Sequence, residues 1–210
     1  MKKLAIFDLD GTLLYTLEDL HASTNFALES ESLPARSLDE VRRFVGNGIR
    51  KLIERAVPDG CAPDVTDRVF AAFKRHYAEN CMVLTRPYPG IPEMLDALKA
   101  RGWQLGVVSN KADEPVKALI AHYFPGVFDS VVGERENVRK KPAPDSVFET
   151  VGSLGCDIGQ AVYIGDSDVD GQTAANAGCD CVLVSWGFRG RETLLPFGCP
   201  IADSLSLIHI

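Results

Sequence analysis

Four short polar clusters carry the chemistry open to this sequence: Asp8-Leu9-Asp10-Gly11-Thr12, Ser109-Asn110, Lys141-Pro142 and Gly165-Asp166-Ser167-Asp168-Val169-Asp170. Alternation along an extended chain puts Asp8 and Asp10 on the same side. If the clusters meet, Asp8, Asp10, Asp166 and Asp170 form a group of carboxylates whose like charges raise one another's pKa values. A divalent cation removes that conflict, and a hard oxygen-ligand set with few protein ligands suits Mg²⁺. One carboxylate can then stay ionised and attack phosphorus. Asp10 can protonate a leaving alcohol and later deprotonate the water that cleaves the acyl phosphate. Lys141 and the Ser109-Asn110 pair are the phosphate-binding candidates, since phosphoryl transfer asks a protein mostly for positioning and charge stabilisation. A lone Asp at a strand end is usually a helix cap or turn former, so the argument rests on the four clusters together. Asp168 reads as a solvated turn residue and Lys140 as a surface lysine. His21, His76, His122 and His209 show no ligand or triad spacing.

Each cluster follows, or lies just beyond, a short apolar run. The runs Leu4–Leu9, Leu105–Val108, Ser130–Val132, Ala161–Ile164 and Cys181–Val184 alternate with helical patterns. Runs apolar on both faces suit buried parallel strands, and their alternation with helices predicts a doubly wound α/β sheet. In such sheets ligands bind outside the carboxyl ends of the strands, which is where the clusters fall. Pro92 and Gly102, then Pro144 and Gly155, punctuate two of the helices.

One interval breaks the alternation, because residues 16–82 read as helix only. Thr16 is placed to cap the first helix, and Ser37-Leu38-Asp39-Glu40 has the form of a capping box. Gly46-Asn47-Gly48 separates the second helix from Ile49, Leu52, Ile53 and Ala56. Val69, Phe70, Phe73 and Tyr77 mark the last. A strand-to-strand crossover needs only a single helix, so 16–82 is read as an inserted all-helical domain and residues 1–15 with 83–210 as the core.

Composition narrows the partners. The net charge of −7 is spread without a basic stripe, which argues against nucleic acid. No apolar run reaches the ~18 residues of a membrane span. The N-terminal Met-Lys-Lys lacks the pattern of a signal peptide. Six cysteines form neither a CxxC pair nor a Cys/His zinc spacing, so they are read as reduced thiols of a cytoplasmic protein.

The DxDGT segment, the Ser109 strand end, the Lys141-Pro142 loop and the GDSxxD segment occur in the order of the four motifs of the haloacid dehalogenase superfamily of phosphatases, which the whole chain resembles. That resemblance implies a Rossmann-like core with a helical cap inserted after the first motif. It also implies that Asp8 is the nucleophile and Asp10 the general acid/base, whose backbone carbonyl also touches Mg²⁺. Asp8 and Asp166 would ligate the metal directly, with Asp170 at it or just behind. The cap segment Phe44–Ala56, with Pro87-Tyr88-Pro89-Gly90-Ile91 and Val184-Ser185-Trp186-Gly187-Phe188-Arg189, is similar to the phosphoglycolate phosphatase subgroup. A small phosphorylated metabolite, 2-phosphoglycolate first, is the substrate so implied. Sugar-phosphate mutase and inorganic pyrophosphatase activities are the alternatives on the same fold, and a non-catalytic binding protein is a further one. By the same resemblance the cap chooses the substrate, which makes Asn47 and Arg50 the specificity candidates. Two departures stand out: Tyr15-Thr16 replaces the common Asp before a Ser or Thr, and Ser204–Ile210 is shorter than the closing helix of the family.

Overall fold

A computed structural model describes residues 3–205 of the 210-residue chain; His209 and most of the Ser204–Ile210 end lie outside the described residues. In chain order the elements are β1 (Leu4–Phe7), β2 (Leu14–Tyr15), α1 (Leu17–Glu29), α2 (Leu38–Phe44), α3 (Ile49–Ala56), α4 (Pro63–Asn80) and β3 (Arg86–Pro87). After these come α5 (Ile91–Ala100), β4 (Gln104–Ala112), α6 (Asp113–Tyr123), β5 (Ser130–Glu134), α7 (Asp145–Ser153), β6 (Ala161–Gly165), α8 (Asp168–Ala177), β7 (Asp180–Val184), α9 (Arg191–Leu194) and β8 (Ile201–Ala202).

Six strands form a parallel sheet in the order β5-β4-β1-β6-β7-β8, a Rossmann-like α/β core. Central β1 is wholly buried at Leu4, Ala5, Ile6 and Phe7. Sequestering each of its large side chains contributes about 1.5–3 kcal/mol, so the first two carboxylates leave a firmly anchored strand. Because β4 and β6 flank β1, the order reverses there, and the crevice beyond the carboxyl ends is the ligand position of this architecture. Helices α6 and α7 pack on β4 and β5, while α8 packs on β6 and β7.

The chain divides into two compact units, Met1–Leu14 with Pro87–Ile210, and Tyr15–Arg86. The second contains α1 to α4. It draws in Val83–Arg86 because the buried Asp19 carboxylate accepts the backbone N–H groups of Leu84 and Thr85 at 2.9 and 2.8 Å. Within it Arg86 lies over the Tyr15 ring, 4.6 Å from the centroid, and pairs with Glu18 at 2.9 Å. Ser37 and Glu40 make the expected capping box. Thr16 does occupy the N-cap of α1, but its side chain makes no cap bond, since its backbone is helical rather than extended (φ −104°, ψ 0°). Pro144 likewise precedes α7 as its N-cap instead of opening its first turn.

Candidate active site

Asp8 follows β1 directly and keeps its ladder, donating its N–H to the Ile164 carbonyl at 2.8 Å. The chain then turns sharply: the Leu9 carbonyl accepts from Leu13 and Leu14, each at 3.0 Å, and Gly11 takes φ +91°. A Cβ on Gly11 would stand 2.4 Å from Asp166 Oδ2, and one on Gly187 would stand 2.3 Å from Asp166 Cβ. Two bare backbones therefore close around Asp166, whose Oδ2 accepts the Phe188 N–H at 2.6 Å. Gly165 plays the same part for Asp170, because a Cβ there would meet Asp170 Cβ at 2.3 Å.

Asp8, Asp166 and Asp170 are all buried, with one carboxylate oxygen of each within 4.8 Å of the others. Lys141 reaches into this group. Its Nζ donates to Asp8 Oδ1 at 2.7 Å, Asp170 Oδ1 at 2.8 Å and the Tyr163 hydroxyl oxygen at 3.1 Å, so each ammonium proton has an acceptor. Asp170 works with both oxygens. Oδ2 takes the Ser167 N–H and hydroxyl in the capping box of α8, while Oδ1 faces Lys141. Asp170 is thus a helix-capping residue and a site residue at once. Asp168, at the first position of α8, is exposed and lies 3.8 Å from Arg189.

Three buried carboxylates against one ammonium leave the cluster with excess negative charge. Burial raises the Asp8 pKa from 3.8 to about 7, with Lys141 opposing the rise and Asp170 adding to it. Burial also lifts Asp166 well above the carboxylate range, reinforced by Asp170 and Asp8. For Lys141, burial disfavours the charge but Asp170 and Asp8 outweigh it, holding the lysine protonated. Three buried carboxylates are a fitting oxygen donor set for a small hard dication.

The other expected residues lie at the same sheet edge. Ser109 and Asn110 are buried, but within β4 rather than after it: the strand runs on to Ala112, with its register against β5 shifting between Val108 and Ala112. Ser109 Oγ accepts the Lys111 N–H at 3.2 Å, and Asn110 Nδ2 donates to the Lys141 carbonyl at 3.1 Å, bracing the lysine's loop. Asn176 braces the next residue, donating to the Pro142 carbonyl at 2.8 Å across a cis Lys141-Pro142 bond. Asp10 stands outside the carboxylate trio and meets Lys111 Nζ at 3.0 and 3.3 Å. Thr12 Oγ1 is buried without a hydrogen-bond partner among the described residues.

Sequence reasoning missed Lys111 and Tyr163. A lysine ending an apolar strand reads as exposed, yet Lys111 is buried. Tyr163 was absorbed into its run, although a buried phenol needs a partner; its hydroxyl lies 3.2 Å from Asp170 Oδ1 and 3.3 Å from the Val108 carbonyl. In the helical unit, Arg50 is held by Glu54 at 3.0 Å and Asp67 at 2.5 Å, over the Phe70 ring. Asn47 Oδ1 accepts from Arg55 at 2.8 Å.

The carboxylate cluster and its buried lysine, at the switch point of a parallel sheet, lie within residues 5–184, which match a family model of hydrolases. The chain belongs to the haloacid dehalogenase-like hydrolases. Its relatives sharpen the class. A phosphoglycolate phosphatase from Aquifex aeolicus is 34% identical over 195 residues, covering 92% of this chain and 90% of the relative. One from Caulobacter vibrioides is 38% identical over 194 residues, covering 90% and 82%. A solved structure of a candidate phosphoglycolate phosphatase from Lactobacillus delbrueckii subsp. bulgaricus superposes with a TM-score of 0.92 at 36% identity, covering 98% and 96%. This protein is a phosphoric monoester hydrolase. Among the described residues no helix is long and apolar enough to cross a membrane.

Proposed function

We propose that this enzyme hydrolyses a small phosphomonoester, 2-phosphoglycolate first, through a phosphoryl group held on Asp8. The observation that carries the reading is the pairing of a buried Asp8 with Lys141 beside two further buried carboxylates. An Asp8 oxygen attacks phosphorus, and the bond to the leaving oxygen breaks as Asp10 gives that oxygen its proton. Water then attacks the phosphorus of the acyl phosphate, Asp10 accepts its proton, and phosphate departs with Asp8 restored. Lys141, Ser109 and Asn110 hold the phosphoryl oxygens, and the charge of Lys141 offsets what develops on them.

Asp8 and Asp166 would hold Mg²⁺, with Asp170 and the Asp10 backbone carbonyl beside it, and the donor set described above fits that ion. When bound, the ion supplies positive charge that lets the carboxylates ionise together and that polarises phosphoryl oxygens. Substrate choice is assigned to the helical unit as a cap, with Asn47 and Arg50 as its first residues to change. The names of the relatives favour phosphoglycolate over a sugar phosphate or pyrophosphate. Six free cysteines suit a reducing cytoplasm.

A panel of metabolite phosphates, assayed with Mg²⁺ and with EDTA, tests this reading. It expects phosphate release from 2-phosphoglycolate at the highest kcat/KM of the panel, and loss of turnover with EDTA. Preferred release from pyrophosphate, or isomerisation of a sugar 1-phosphate, would replace the substrate assignment. Metal-independent turnover would contradict the ion.

A further inference from the structure

Lys111, like Lys141, is a buried lysine of the core unit, and the reaction as described gives it no task. Its side chain is 2% exposed and that of Asp10 15%. Its Nζ contacts both Asp10 oxygens, at 3.0 and 3.3 Å. A buried ion pair is a poor source of stability, because desolvating both charges offsets most of their attraction. Its value here is geometric, and the surrounding backbone is built to deliver it.

The lysine sits in the part of β4 where register against β5 shifts, between Val108 and Ala112. Ser109 Oγ accepts its N–H at 3.2 Å. On the other side Gly133 of β5 lets the strands close in: a Cβ there would stand 2.8 Å from the Lys111 carbonyl oxygen and 2.4 Å from Asp113 Cα. The Gly133 N–H is in turn taken by Asp113 Oδ1 at 2.9 Å. Serine, glycine and aspartate thus fix the backbone from which Lys111 extends.

We propose that Lys111 is a positioning residue that holds the Asp10 carboxylate in one orientation for its two proton transfers. The inference rests on the acid/base role assigned to Asp10 under the proposed function. A carboxylate gripped at both oxygens cannot rotate away from the atom it must protonate, and small misplacements of reacting groups cost up to about a hundredfold in rate. The rival role for such a lysine is direct charge stabilisation of the phosphoryl group, and the two roles differ in what their loss does to different leaving groups.

The experiment is rapid-quench measurement of alcohol release in the first turnover. Wild type, Lys111→Met, Lys111→Gln and Asp10→Asn are each assayed on phenyl phosphate and p-nitrophenyl phosphate with Mg²⁺. Phenolate is a basic leaving group that needs the proton, whereas p-nitrophenolate departs with little help. Lys111→Met is expected to slow phenol release at least about tenfold more than p-nitrophenol release, and Asp10→Asn is expected to do the same more strongly. Lys111→Gln keeps an N–H donor, one atom shorter than lysine, in case removal of the polar group in Lys111→Met unfolds the protein. It is expected to show the same ordering with a smaller ratio. Equal losses on both esters in the Lys111 variants, while Asp10→Asn discriminates, would overturn the positioning role. If Asp10→Asn itself fails to discriminate, the acid/base reading falls, and the role of Lys111 falls with it.

Discussion

At Asp8 two demands conflict: the nucleophilic role proposed for it needs the ionised form, yet burial raises its pKa to about 7 and Asp170 adds to the rise. Without a cation the folded protein therefore binds a proton there that the unfolded chain, at 3.8, gives up earlier. The sign follows from linkage. A carboxylate raised on folding contributes stability at low pH and loses it as pH climbs towards the folded value. Lys141, held protonated by Asp170 and Asp8, keeps its contribution through this window. In EDTA, the stability of wild type minus that of Asp8→Asn is expected to fall between about pH 4 and pH 7, by on the order of a few kcal/mol. Urea melts across that range measure it, and parallel curves would contradict it. Mg²⁺ is expected to stabilise wild type more at pH 8 than at pH 5, since its ligands must first lose their protons.

At the scale of elements, the capping box of α8 joins folding to chemistry. Ser167 accepts the Asp170 N–H, and Asp170 Oδ2 accepts the Ser167 N–H at 3.1 Å and its hydroxyl at 2.5 Å. Ser167→Ala is expected to cost about 1 kcal/mol of stability, with Thr at the same position recovering most of it. Denaturant midpoints check this, and an unshifted midpoint in the alanine variant would mean that Asp170 is held by Lys141 and Tyr163 alone. The elements also show what the sequence could reveal. β1, β6 and β7 were legible because residues buried on both faces form unbroken apolar runs. The end of β4 was not, since Ser109, Asn110 and Lys111 are polar and their burial comes from partners distant in sequence: Lys141 and Asp10. Two-residue β8 carries too short a pattern to read, although it extends the sheet beside β7.

Over the whole molecule, four clusters spread along the chain from Asp8 to Asp170 are gathered by one topological fact: β1 lies between β4 and β6. The sequence makes the meeting of Asp8, Asp166, Asp170 and Lys141 a condition, since the clusters lie beyond runs that suit parallel strands, and in the structure these four side chains lie together. It was not enough to foresee that Asp10 would stand with Lys111, which depends on a register shift and on Gly133. In the helical unit, Asp19 reads as one polar residue on an amphipathic helix, yet it is buried and ties α1 to Leu84 and Thr85. Such closures across the length of an insert leave no local pattern. The central claim concerns one oxygen atom of Asp8, and its most direct measurement is steady-state turnover of p-nitrophenyl phosphate by Asp8→Asn with saturating Mg²⁺. An amide cannot form the acyl phosphate, so kcat is expected to fall at least about a thousandfold in a protein that still folds. Turnover within tenfold of wild type would contradict Asp8 as the nucleophile.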